Sequence, residues 1–217
     1  NNGLNWKQSA LIGETIFNLF IFRDELFMGN GEGLYISSNY GLSWKRTSLF
    51  GDARSIAING NYIFVASGQG GIYASSDRGT TWKESNSNLK NNILEGYICL
   101  CAYENVIYAG TRSGVYFSTN NGKHWIETSL NYEQIQSITK IGDAIFSTNF
   151  HGKVYRSPNN GLSWELTTLQ FIISMETYED YIFAGSYNDI YMSSDKGESW
   201  IKRNEGLDTI INAGKLY

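Results

Sequence analysis

"GGIYASSDRGTTWKES", residues 70–85, sets Ser75, Asp77, Gly79 and Trp82 at fixed intervals. The pattern Ser-x-Asp/Asn-x-Gly-x-x-Trp returns along the chain. It is "SSNYGLSW" with Asn39, Gly41 and Trp44, and "STNNGKHW" with Asn120, Gly122 and Trp125. It is again "SPNNGLSW" with Asn159, Gly161 and Trp164, and "SSDKGESW" with Asp195, Gly197 and Trp200. A truncated copy, "NNGLNW", runs from Asn1 to Trp6. All 6 tryptophans belong to such a box, and the steps between them are 38, 38, 43, 39 and 36 residues. A period near 40 marks a repeat architecture.

Each period has the same interior. Before the box lies "GLYIS", "GIYAS", "GVYFS", "KVYRS" or "DIYMS"; before that, "LFMGN", "IFVAS", "IYAGT", "IFSTN" or "IFAGS". A third apolar stretch comes earlier still, and a short fourth follows each Trp. The stretches are short, alternating and rich in β-branched and aromatic residues, with turn residues between them. Four antiparallel strands per period, a to d, predict an all-β fold: a β-propeller of four-stranded blades. Five complete blades are expected, at about 14–50, 51–90, 91–130, 131–168 and 169–207, in one domain. Partial strands remain at both ends, a d-type strand from Leu4 to Ile12 and an a-type strand from Asp208 to Tyr217. That remainder fits a piece of a larger propeller or a ring closed in an unusual way. An incomplete ring would expose apolar surface and self-associate.

The box reads as a c–d hairpin turn. Asp or Asn accepts hydrogen bonds from the backbone ahead of it, Gly supplies positive φ, Ser bonds locally, and Trp covers the turn.

Composition excludes several function classes. The net charge is −4, and Lys and Arg are scattered, so nucleic-acid binding is not expected. No apolar run is long enough to span a bilayer, so membrane insertion is not expected. Cys99 and Cys101 share one face of a strand and read as free, buried thiols. Neither a metal site nor a cofactor is expected; His124 and His151 lie far from the cysteines in sequence.

These boxes resemble those of the Asp-box, or BNR-repeat, propellers, and the likeness covers the whole chain. Such repeats occur in sialidases, sortilin-type receptors, xyloglucan-cleaving glycosidases and photosystem II assembly factors. The wording "IYAGTRSGVYFSTNNGKHW" is most similar to uncharacterised secreted bacterial members, which implies a secreted or periplasmic protein. The resemblance implies fold rather than activity, since the box in those families is usually remote from the active centre. The sialidase motif Phe-Arg-Ile-Pro has only "FRDE", Phe22 to Glu25, as a counterpart, and Arg23 falls at an a–b turn.

For glycoside hydrolysis, which generally needs paired carboxylates, Glu176 is the one candidate, with Tyr178 two residues on. Repeat alignment sets Glu176 level with Phe20, Ala57, Cys101 and Thr139 on the innermost strand, without a matching second carboxylate. Ligand binding is expected instead at the b–c and d–a loops of one face. Candidate ligand-binding residues are Asn30, Glu32, Gln69, Arg112, Asn149, His151, Tyr187 and Asn188, polar or aromatic groups suited to a sugar or a partner's backbone. The d–a insertion from Ser85 to Tyr97 could overhang that face. The expected function is a non-enzymatic binding or assembly scaffold for protein or carbohydrate. The alternatives are a sialidase-like Asp-box glycoside hydrolase and a receptor module of a longer chain.

Overall fold

The computed structural model describes residues 15–68, 70–89, 96 and 98–205. The truncated box at Asn1–Trp6, the expected strands Leu4–Ile12 and Asp208–Tyr217, Gln69 and most of the second half of the long insertion lie outside the described residues.

The described residues form five four-stranded antiparallel sheets and no helix; the fold is a five-bladed β-propeller. Blade 1 holds β1 (Ile16–Phe22), β2 (Glu25–Asn30), β3 (Leu34–Ser37) and β4 (Lys45–Arg46). Blade 2 holds β5 (Ser55–Asn59), β6 (Tyr62–Ser67), β7 (Gly71–Ser75) and β8 (Lys83–Glu84). Blade 3 holds β9 (Cys99–Tyr103), β10 (Val106–Thr111), β11 (Gly114–Ser118) and β12 (Ile126–Asn131). Blade 4 holds β13 (Ile135–Ile141), β14 (Ala144–Asn149), β15 (Val154–Ser157) and β16 (Glu165–Leu166). Blade 5 holds β17 (Ile172–Tyr178), β18 (Tyr181–Ser186), β19 (Ile190–Ser193) and β20 (Ile201–Lys202). Within each sheet the spatial order is the chain order.

The a–b connections are two-residue hairpins whose first residue is left-handed: Arg23, Gly60, Glu104, Gly142 and Glu179. Such turns match the twist of the paired strands. The first strands converge on the centre. Phe20, Ala57, Cys101, Thr139 and Glu176 each pair with an aromatic of their b strand: Phe27, Phe64, Tyr108, Phe146 and Phe183. They are one ring of equivalent positions.

The boxes fold as self-bonded turns. In each, the Ser hydroxyl accepts from the Gly amide, for example Ser75 from Gly79 at 2.8 Å and Ser157 from Gly161 at 2.8 Å. The Asp or Asn Oδ1 accepts from the amide four residues on, at 2.8 Å for Asp77 and 2.9 Å for Asn39. Not only Gly but the residue before it is left-handed, at Tyr40, Arg78, Asn121, Asn160 and Lys196. The tail of each of the first three blades grips the box of the next. Ser48 Oγ donates to Thr80 O at 2.7 Å, Ser85 Oγ to Gly122 O at 2.7 Å, and Ser129 Oγ to Leu162 O at 3.3 Å.

Asp77 and Asp195 are pulled down to about 2, first by the hydroxyls of Thr81 and Ser199, then by the amides of those residues and by Ser75 and Ser193. A depressed carboxylate stabilises the fold above its ordinary value of 3.8, and that contribution is lost as pH falls towards about 2. The Asn boxes do not titrate. The double variant Asp77→Asn/Asp195→Asn is therefore expected to lose less thermal stability than the parent between pH 4 and 2. Melting temperature against pH checks this, and parallel curves would refute it.

Among the described residues four apolar cores join successive blades. Phe27, Leu34 and Leu49 meet Ile56, Ile63 and Val65 between blades 1 and 2. Phe64 and Ile72 meet Leu100, Ile107 and Trp125 between blades 2 and 3. Tyr108 and Val115 meet Ile138, Ile145 and Tyr155 between blades 3 and 4. Phe146 and Val154 meet Met175, Ile182 and Ala184 between blades 4 and 5. Among the described residues no such core joins blade 5 to blade 1. There Leu19 is 46% and Ile21 68% exposed.

Candidate functional site

The a–b turns and the boxes lie at one end of the blades, and the b–c and d–a loops at the other. The loop end carries most of the residues singled out in the sequence. Two of them face inward. Asn30 is buried, and its Oδ1 accepts from the Glu32 and Gly33 amides at 2.9 and 3.0 Å. Asn149 is buried in the same way. Its Oδ1 accepts from the His151 and Lys153 amides at 3.0 and 2.9 Å, and its Nδ2 donates to Glu133 at 2.8 Å. Both carboxamide oxygens serve their own loop. Glu32 accepts from the Tyr35 hydroxyl at 3.0 Å, and the Arg112 side chain lies against Gly96. His151, Tyr187 and Asn188 are exposed. The Asn188 amide donates to Ser186 Oγ, and its carbonyl accepts from Asn204.

The loop end also presents aromatics, all of which except Tyr187 the sequence reading passed over. Phe50, Tyr132 and Phe171 sit in d–a loops at 91%, 87% and 70% exposure. Phe150 and Tyr187, in b–c loops, are exposed as well. Tyr132 and Phe171 hold φ of 62°, a left-handed conformation that is uncommon for bulky side chains. Backbone hydrogen bonds tie the run together around blade 4. The Tyr132 amide donates to Ser113 O at 3.1 Å, Phe150 to Gln134 O at 3.1 Å, and Ile172 to Gly152 O at 3.2 Å. Beneath them Glu133 accepts from Tyr155 Oη at 2.6 Å as well as from Asn149. Burial pushes the Glu133 carboxyl up, but these hydrogen bonds outweigh it and leave the group below its usual range. A signal existed in the sequence: a single aromatic follows the fourth strand in each of the first four d–a loops, Phe50, Tyr97, Tyr132 and Phe171.

Glu176 lies elsewhere. It lines a central cavity of about 420 Å3 towards the a–b turns, with Cys101, Thr139, Lys140 and Tyr103. Burial raises its pKa. Lys140 is buried, donates to Gly142 O, and stands 4.3 Å from the centre of the Tyr103 ring; burial lowers its pKa. Burial, then the nearby Glu176, pushes the Cys101 thiol up to about 12, and Cys99 also reaches about 12. Neither thiol is a nucleophile at neutral pH. Both cysteines are free. Tyr178 ends β17, exposed, beside the Glu179–Asp180 turn. Arg23 sits exposed in its a–b turn, 5.1 Å from the Phe22 ring centre. The cavity thus gathers Glu176 with Lys140 and Cys101, and not with Arg112 or Tyr187.

The long insertion begins as packing. Leu89 is buried, Ser85 O accepts from Trp125 Nε1 at 2.7 Å, and Ser87 O accepts from the Trp125 amide at 3.3 Å.

No protein-family profile and no curated protein sequence matches the chain. Solved structures do. An ancestral GH74 enzyme is similar over 91% of this chain and 32% of its own, at 18% identity and a TM-score of 0.72. The extracellular domain of the B. thetaiotaomicron one component system BT4673 is similar over 95% of this chain and 31% of its own, at 15% identity and a TM-score of 0.72. YCF48 from Cyanidioschyzon merolae is similar over 91% of this chain and 88% of its own, at 13% identity and a TM-score of 0.61. The chain thus spans about a third of the GH74 enzyme and of the BT4673 domain. At these identities the likeness is one of fold, the β-propeller. No helix among the described residues is long and apolar enough to cross a membrane.

Proposed function

We propose that the chain is a non-enzymatic binding or assembly module of the Asp-box kind, secreted or periplasmic, acting as a single domain. Its b–c and d–a loops recognise a protein or a glycan. The observation that carries this reading is the set of exposed aromatics at the loop end, Phe50, Tyr132, Phe150, Phe171 and Tyr187. Rigid aromatics offer a large contact area at little entropic cost, and they dominate measured interfaces. Arg112, His151 and Asn188 add polar groups on the same face. The extracellular setting of the BT4673 domain agrees with this reading.

On a glycan array and in pull-downs from the native secretion fluid, Tyr132→Ala and Phe171→Ala are each expected to weaken capture by about tenfold or more. Melting temperature should hold, because both side chains are in solvent. Capture unchanged in both variants would sink the assignment of this face.

Glycoside hydrolysis is the second reading. Its support is the raised Glu176 carboxyl in a cavity and the fold of the GH74 enzyme. Glu176→Gln is expected to leave ligand capture unchanged. Turnover of a fluorogenic sialoside or β-glucan by the parent, lost in this variant, would establish the enzyme instead.

A further inference from the structure

We propose that the cavity between blades 1 and 2, at the end of the blades opposite the aromatic loops, binds a free aromatic α-amino acid. Its ring stands on Phe27, its carboxylate meets Arg23, and its ammonium meets Asp24. The site is separate from the loop face and does not rest on the reading of that face.

The first observation is a ring contact that one blade lacks. In four blades the b-strand aromatic of the inner ring packs against a second aromatic. Phe64 has Tyr62 at 6.0 Å between centroids, Tyr108 has Phe117 at 6.3 Å, Phe146 has Trp200 at 6.1 Å, and Phe183 has Tyr181 at 6.5 Å. These are the spacings of attractive aromatic pairs. Phe27, the blade 1 member, has no ring partner among the described residues. One position accounts for this. The first residue of the b strand, opposite the last residue of the a strand, is Tyr62 in blade 2 and Tyr181 in blade 5, but Glu25 in blade 1.

The second observation is the space beside that position. A cavity of about 680 Å3 opens there, lined by Phe22 and Phe27 of blade 1 and by Ile58 and Ile63 of blade 2. This is the size of a small-molecule site. Phe27 and Ile63 are buried, and Phe22 and Ile58 are half-buried, so the floor is apolar. Glu25 and Phe27 are two strand residues apart, about 7 Å. A ring set on Phe27 therefore lies where the Tyr62 ring lies in blade 2, with its outer edge near the a–b turns.

The third observation chooses the charges of the occupant. Five charged residues line the cavity: Arg23, Asp24, Glu25, Asp77 and Arg78. Three of them are already engaged. Arg78 donates to Glu25 across the blade boundary, and Asp77 accepts from Thr81 and Ser75 within its own box. Arg23 and Asp24 form the blade 1 turn, both are exposed, and neither is in an ion pair among the described residues. One cation and one anion thus stand side by side at the mouth of an apolar slot. An α-amino acid carries the complementary carboxylate and ammonium on one carbon, and an aromatic one carries the missing ring. A purely anionic or cationic ligand would leave one of the two charges facing its own sign.

Calorimetric titration of the full chain with L-phenylalanine tests this. L-phenylalanine is expected to bind, with L-leucine, phenylacetate and phenethylamine each weaker by about tenfold or more. Glu25→Tyr supplies the ring that blade 2 has in Tyr62 and should abolish binding while the melting temperature holds. Arg23→Gln, in an exposed turn, should weaken L-phenylalanine by about tenfold and leave phenethylamine, which has no carboxylate, unchanged. If Glu25→Tyr proves unstable, Arg23→Gln carries the test alone. Tyr132→Ala should bind L-phenylalanine as the parent does, which separates this site from the loop face. A parent that does not bind L-phenylalanine at millimolar concentration overturns the proposal, as does L-leucine binding equally well. Binding that survives in a folded Glu25→Tyr, or that is lost in Tyr132→Ala, overturns it as well.

Discussion

Phe146→Ala is expected to cost about 3–5 kcal/mol of stability, the range for emptying a buried aromatic site. The ring has no exposed surface and sits at the centre of the core between blades 4 and 5. It meets Trp200 edge-on, with centroids 6.1 Å apart and planes at 88°. It also fills the space above Gly197, where an added Cβ would lie 2.4 Å from the ring. Removing the ring leaves a cavity whose walls are a strand on one side and a hydrogen-bonded box on the other, so collapse is limited. Urea denaturation followed by tryptophan fluorescence reads the loss. Phe150→Ala, four residues on and exposed, is the control and should change stability by no more than about 0.5 kcal/mol. Equal losses in the two variants would mean that the inter-blade core does not carry the fold.

Gly114→Ala is the second large effect. Gly114 opens β11 at φ of 118°, and a Cβ there would lie 2.1 Å from the Leu130 carbonyl oxygen and 2.8 Å from Asn131 Cα. Both neighbours are backbone, so the clash is relieved only by prising β12 from β11. Left-handed strain alone costs about 1–3 kcal/mol for a non-glycine residue, and the displaced strand adds to it. The variant should also weaken ligand capture more than its melting temperature suggests. The reason is that β12 leads into Tyr132, whose amide is held by Ser113 in the same loop pair. A variant with parental stability and capture would show that β12 shifts freely at this point.

The blade plan was legible because one turn chemistry recurs. Ser, Asp or Asn, Gly and Trp at set distances admit few backbones, and the alternation around them sets the strands. Even the register of the inner ring followed, since Glu176 pairs with Phe183 as Thr139 pairs with Phe146. The left-handed residue before each box glycine was not legible: Arg78 and Lys196 carry no side-chain preference for that conformation and are held there by the Ser hydroxyl and the carboxylate on either side of the turn. Nor was the direction of the loop amides. Asn30 and Asn149 read as ligand-facing groups, yet the b–c loops of blades 1 and 4 have inward amides that need an acceptor, and these side chains supply it. The exposed aromatics were hidden for the opposite reason. Tyr132 and Phe171 abut strands, and an aromatic beside a strand reads as core until the turn that rotates it outward is known.

Among the described residues the interior divides into four separate cores, each shared by two neighbours, and this bounds how far a lesion travels. A cavity between blades 1 and 2 touches no side chain of the core between blades 4 and 5. Damage at the two sites should therefore add, as it does for distant independent positions. Damage within one core should not. The same partition lets sequence drift proceed blade by blade, each interface compensating on its own. It also makes the whole blade, rather than the residue or the strand, the unit by which such a chain can be lengthened or shortened without rewriting what is already packed.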